Sequence, residues 1–238
     1  SPKSGQPDTY DPYMTTVIDI VKEHKPDADL AWHMTWAYQG NSTHTGFTNY
    51  GNDQMTMYNA IVDAVQSKIL TNSNFINIIP SGTAVQNMRT SFVGDNLTRD
   101  GYHMSYDKGR YLTALCYAKA LTGCDLSQVN YTPSAYTFSS SLLDAMKEAV
   151  NNAVAQPFEV TESTFGKDPD KVDYTTATME EILSHSGYNV SDYSKLEIGF
   201  TKFAYYNSSN ELMKSTLHTA YNQDIHGHPN TVIKYVGT

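Results

Sequence analysis

The sequence predicts an α/β layered fold followed by a smaller β-rich module, and three observations carry that expectation. Two short stretches of strand character are interleaved with helices whose apolar residues recur at three and four. The order helix, strand, helix, strand, helix calls for parallel strands joined by helical crossovers. After about residue 156 the texture turns polar and charged, which marks a linker or long loop. The expected organisation is therefore 1–156 as the α/β domain and 157–238 as an accessory module.

Asp11-Pro12 reads as an N-cap followed by proline in a first helical turn, with Val17, Ile18 and Val21 as the apolar side and Pro26 as the stop. In "ADLAWHMTW", residues 28–36, Leu30, Trp32, Met34 and Trp36 alternate with Ala31, His33 and Thr35, the period of a strand. A polar, glycine-containing loop follows, "YQGNSTHTGFTNYG". Asn52 or Asp53 then caps a helix carrying Met55, Tyr58, Val62, Val65 and Ile69. "FINIIP", 75–80, is a short buried strand, and a shorter helix with Val85 and Met88 comes next. Ser105 is the expected N-cap of the following helix, Asp107 lies in its first turn, Tyr111, Leu115 and Ala118 form its buried stripe, and Gly123 closes it. Leu142, Met146, Ala149 and Ala153 mark one more helix. Beyond 156, Thr178-x-x-Glu181 is a capping box for a short helix ending near Gly187. "KLEIGFTKFAYYN" and "TVIKYV" have strand character.

The 238 residues carry a formal net charge of -9 with scattered basic residues, which argues against a nucleic-acid groove or an anionic membrane surface as partner. No apolar run approaches the roughly 20 residues needed to span a bilayer. Cys116 and Cys124 are too few for a disulfide scaffold, and Cys116 reads as a buried small hydrophobe. Abundant Tyr, Asn, Thr and Ser with little Lys fit an exported bacterial protein that handles polar substrates such as glycans.

The chemistry concentrates in "NLTRDGYHMSYDKGRY", 96–111, where Asp100 and His103 stand three apart around Gly101. A hydrolytic site needs a histidine to shuttle a proton and a carboxylate to fix its tautomer. A tight turn can set both on one side of the backbone, ahead of a helix, where open α/β sheets place their chemistry. The plain alternative is a helix cap on the surface. Trp36, Tyr38 and His44, at a strand end and in the polar loop, are candidates for a substrate wall, with core packing as the competing role of Trp36 and, equally weighted, of Tyr38. His33 is expected to be a hydrogen-bonded core histidine. His226 and His228 stand two apart without a third ligand, so no metal site is expected.

"SPKSGQPDTYDPY", "LAWHMTWAYQ" and above all "LTRDGYHMSYDKGRYLTALCYAKALTG" resemble the SGNH (GDSL-like) hydrolase superfamily, in particular a poorly characterised bacterial group. The resemblance covers about residues 1–155 and implies a three-layer flavodoxin-like fold, ester hydrolysis, often of acetyl groups on carbohydrate, and no cofactor or metal. It places Asp100 and His103 as the triad acid and base. The family's nucleophile block, near its N-terminus, has no counterpart here. "SPKSG" resembles the loop after the third strand, so the first three strands and the nucleophilic serine are expected upstream of Ser1, leaving a sheet edge open to self-association. Ser81, in "IIPSGTA", stands at a strand-to-helix turn but lacks the Gly-x-Ser-x-Gly elbow. Ser42 and Ser105 are better explained as loop and cap residues. The competing function is a non-catalytic glycan-binding or surface protein on the same scaffold.

Overall fold

The computed structural model describes residues 1–168 in full, and beyond them the strands Phe200–Tyr206, Leu212–Thr219 and Val232–Gly237. The chain divides into two compact units, Ser1–Asp168 and Pro169–Thr238. The first is mixed α/β. It runs α1 (Tyr13–His24), β1 (Leu30–His33), α2 (Gln54–Lys68), β2 (Phe75–Ile79), α3 (Ser81–Arg89), α4 (Lys108–Thr122) and α5 (Ser140–Ala155).

β1 and β2 pair in parallel, with Trp32 opposite Ile78 and His33 opposite Ile79, and α2 provides the crossover. Helices cover both faces of this two-stranded sheet. One face carries Met34, Trp32, Ile78 and Phe75 toward Met57, Tyr58, Ile61 and Val65 of α2. The other carries Ile79 toward Val85 and Met88 of α3, Leu112 and Leu115 of α4, and Met146 and Val150 of α5. Full burial of each such side chain contributes about 1.5–3 kcal/mol.

Several expectations shift in detail. β1 ends at His33, three residues early, so the alternation breaks: Trp36 turns to the α3–α5 side while Met34 and Tyr38 stay on the α2 side. "FINIIP" is not buried throughout, since Ile76 is 65% exposed. On α1 Ile18 is buried, while Val17 is exposed, and Pro12 rather than Asp11 takes the N-cap position. Asp53 caps α2 by accepting from the Thr56 N–H at 2.7 Å. α4 starts later than Ser105 implies, yet the Ser105 hydroxyl still accepts from the Gly109 N–H at 3.0 Å. Gly123 closes α4 at φ +69°. Cys116 is fully buried, and burial pushes its thiol up to about 11.

The first unit ends at Asp168 rather than 156, because the segment after α5 is sewn onto α3 and α5. The Thr161 N–H donates to Asn87 Oδ1 at 2.7 Å, the Ser163 N–H to Thr90 Oγ1 at 2.8 Å, and the Ser163 hydroxyl to Glu148 Oε1 at 2.6 Å. In the second unit β3 (Phe200–Tyr206) pairs antiparallel with both β4 (Leu212–Thr219) and β5 (Val232–Gly237), giving the order β4-β3-β5. The Thr178–Glu181 capping box, the helix end near Gly187 and the His226/His228 pair lie outside the described residues.

Candidate active site

Between α3 and α4 the chain folds back on itself. Thr98 and Met104 form an antiparallel bridge, the Arg99 N–H donates to the His103 carbonyl at 2.9 Å, and the Ser105 N–H to that of Leu97 at 2.9 Å. The four residues at the tip, Asp100 to His103, are the ones singled out in the sequence. Gly101 sits at φ +88°, in the left-handed region where glycine is unstrained. A Cβ there would also lie 3.0–3.1 Å from Ser42.

This turn brings the two candidate groups together. Asp100 Oδ2 lies 2.7 Å from His103 Nδ1. Its other oxygen, Oδ1, accepts from the backbone N–H of His103 at 2.8 Å and of Tyr102 at 3.3 Å. Such desolvation as Asp100 suffers works against ionisation. The bonds from the His103 ring, the two backbone N–H groups and the nearby His103 charge outweigh it and hold the carboxyl down at about 2. With the carboxylate on Nδ1, a neutral His103 carries its proton there and keeps the lone pair on Nε2, the tautomer of a general base. The His103 side chain is 53% exposed. Arg99 Nε lies 3.8 Å from Asp100 Oδ2, a surface contact of small energetic weight.

The other expected site residues fare differently. Tyr38 is 2% exposed and packs among Phe47, Met57 and Tyr102, so its ring belongs to the core and is no substrate wall. His44 caps a 3-10 turn, Thr45–Tyr50, its Nδ1 accepting from the Gly46 N–H at 3.0 Å. Its ring stands edge-on to Tyr102 at 4.7 Å. Trp36 is half-buried against the α3–α5 cluster, and its indole N–H donates to the Tyr102 carbonyl at 2.8 Å. Tyr102, which nothing in the sequence singled out, packs its ring beside that of His103, centroids 4.2 Å apart and planes tilted by 44°.

His33 packs against Tyr117 at 4.8 Å, and its buried Nε2 has no hydrogen-bond partner among the described residues, contrary to the hydrogen-bonded core histidine expected. Ser81 is fully buried at the start of α3. Among the described residues no hydroxyl is hydrogen-bonded to His103.

A second cluster braces the strand end that faces this turn. Arg89, nearly buried at the end of α3, pairs with Asp95 at 2.7 Å and donates to the Ala37 carbonyl at 3.1 Å. Asp95 Oδ2 in turn accepts from the Gly40 N–H at 2.7 Å and from Gln54 at 2.9 Å. Gln54 also donates to the Tyr38 carbonyl at 2.9 Å. Apart from the Arg89–Asp95 pair itself, these contacts join residues 16 to 55 positions apart, a separation at which sequence carries no local signal.

Fold and site together define an α/β protein with a preorganised aspartate–histidine pair on the turn before a helix. The chain belongs to the DUF4886 family, a domain of unknown function, which matches residues 1–153. It is similar to the 1.50 Å crystal structure of a DUF4886 family protein from Bacteroides uniformis ATCC 8492, with 40% sequence identity and a TM-score of 0.63. That likeness covers 68% of this chain and 61% of the Bacteroides chain, so the present chain accounts for less than two thirds of its relative's length. No curated protein matches it significantly. No helix among the described residues is long and apolar enough to cross a membrane.

Proposed function

We propose that residues 1–168 are part of a serine ester hydrolase of the SGNH type, acting on acylated carbohydrate in an exported bacterial protein. The observation that carries this reading is the 2.7 Å contact between Asp100 and His103 Nδ1, which leaves Nε2 of a half-exposed imidazole as the base. In this reading His103 takes the proton of a serine hydroxyl as the oxygen attacks the ester carbonyl. It then returns that proton to the departing alcohol, and repeats the cycle with water to release the acid. Asp100, held ionised, stabilises the imidazolium in between. The serine and the oxyanion donors are assigned to sequence preceding Ser1. Tyr102, packed beside His103, and His44, edge-on to Tyr102, line the approach of the sugar.

The test uses a longer polypeptide that includes the preceding sequence, with p-nitrophenyl acetate and acetylated sugars as substrates. It should show an acyl-enzyme burst and turnover, while residues 1–238 alone show neither. In the longer polypeptide His103→Ala should reduce kcat by about a million-fold, and Asp100→Asn by about ten-thousand-fold, because the base survives but its tautomer and charge are no longer supported. Hydrolysis that survives His103→Ala would sink the reading. A longer polypeptide that binds glycans without hydrolysing them would favour a binding protein on the same scaffold.

A further inference from the structure

We propose that Trp36 is a positioning residue for the Asp100–His103 pair, acting through its indole N–H on the backbone of the turn. The peptide plane between Tyr102 and His103 is held at both ends. Its carbonyl accepts from Trp36 Nε1 at 2.8 Å, and its N–H donates to Asp100 Oδ1 at 2.8 Å. The preceding plane is held the same way, with the Gly101 carbonyl accepting from the Gln39 N–H at 2.8 Å and the Tyr102 N–H donating to Asp100 at 3.3 Å. Two successive peptide planes are thus clamped between segment 36–39 and the carboxylate. With both fixed, the His103 Cα–Cβ bond is aimed so that Nδ1 meets Asp100 Oδ2.

The clamp works only if segment 36–39 is itself rigid, and the structure shows why it is. Arg89 holds the Ala37 carbonyl and Gln54 that of Tyr38, while the Tyr38 ring is locked in the core. Trp36 packs its ring against the α3–α5 cluster, so its donor position is set by packing and not by the turn it serves. Of the two clamping donors, the Trp36 N–H belongs to a side chain and can be removed without touching the backbone. The catalytic consequence rests on the hydrolase reading above, whereas the clamp does not depend on it.

The experiment compares the wild-type chain with Trp36→Phe and with benzothienylalanine at position 36, an isostere that replaces the N–H by sulfur and keeps the ring volume. The Asp100 carboxyl is titrated by carbon NMR. Its midpoint, about 2 in the intact turn, should rise toward the ordinary carboxylate value of about 3.9 in both variants, as the bonds from the turn loosen. In the longer polypeptide kcat should fall about 10- to 100-fold with little change in KM, as expected for a misplaced base. A thermal midpoint that drops while the Asp100 titration stays in place would assign Trp36 to packing alone and overturn the proposal. If Trp36→Phe fails to fold, the isosteric variant decides. If the longer polypeptide hydrolyses nothing, the hydrolase reading fails and the titration still judges the clamp.

Discussion

At His33 burial and chemistry pull against each other. Its ring is packed against Tyr117 and Trp36, and desolvation holds its pKa below the usual 6.5, so the folded state favours the neutral imidazole. The unfolded chain takes up a proton as pH falls through 6.5 while the folded one resists it. The stability that His33 confers is therefore present above that pH and lost progressively below it. Urea unfolding should show a smaller loss between pH 7.5 and 5.5 in His33→Leu than in the wild-type chain, and equal losses would refute the assignment. Asp100 does not confuse this window, because its depressed carboxyl affects stability only as pH falls from about 3.8 toward 2. The Asp100–His103 pairing was legible because both groups lie in one turn, three residues apart with a glycine between them. Tyr102 was not, since an aromatic residue beside a histidine carries no directional signal, and neither was the Arg89–Asp95 brace, which reaches Ala37 and Gly40 only through tertiary folding.

The helices were the most legible elements, because three-and-four spacing survives small errors in their limits. What the sequence could not fix was where an element stops. Nothing in "LAWHMTWAY" marks the loss of pairing after His33, which depends on β2 ending at Ile79 and on the Gly82 N–H capturing the Met34 carbonyl at 2.9 Å. β4, "LMKSTLHT", went unread because its polar residues mask the alternation. The turn at 98–104 is the element on which function rests, and Gly101 is its weak point. Its φ of +88° disfavours any side chain, and an added methyl would press on the Ser42 backbone and Cβ at 3.1 Å. Gly101→Ala should destabilise the unit by about 1–3 kcal/mol in urea unfolding. In the same variant the Asp100 titration should move upward. Gly123→Ala is the informative control. It meets no atom within 4 Å and bears only the strain of its φ of +69°, so it should leave Asp100 unmoved. An upward shift of Asp100 in both variants would mean that the site responds to general loosening and not to the turn.

The sheet at the centre of the first unit has only two strands, so each presents one unpaired edge within that unit. The described strands of the second unit do not extend it, since they form their own antiparallel sheet. Apolar side chains crowd the same region. A groove of about 470 Å³ runs between α1 and the sheet, lined by Met14, Val17, Ile18, Leu30, Trp32 and Phe75. On α1, Tyr13 and Val17 are 73% and 60% exposed. Isolated exposed hydrophobes are ordinary, but a contiguous apolar groove beside unpaired strand edges is a surface that associates. The chain of residues 1–238 should therefore self-associate through this face at micromolar concentration. Sedimentation velocity should show a mass that rises with concentration. Val17→Glu, at an exposed helical position, should shift the distribution toward monomer while leaving the circular dichroism of the helices unchanged. A wild-type chain that stays monomeric across that range would show that the groove and the strand edges are protected as they stand. The expectation that further strands complete this sheet would then lose its physical motive.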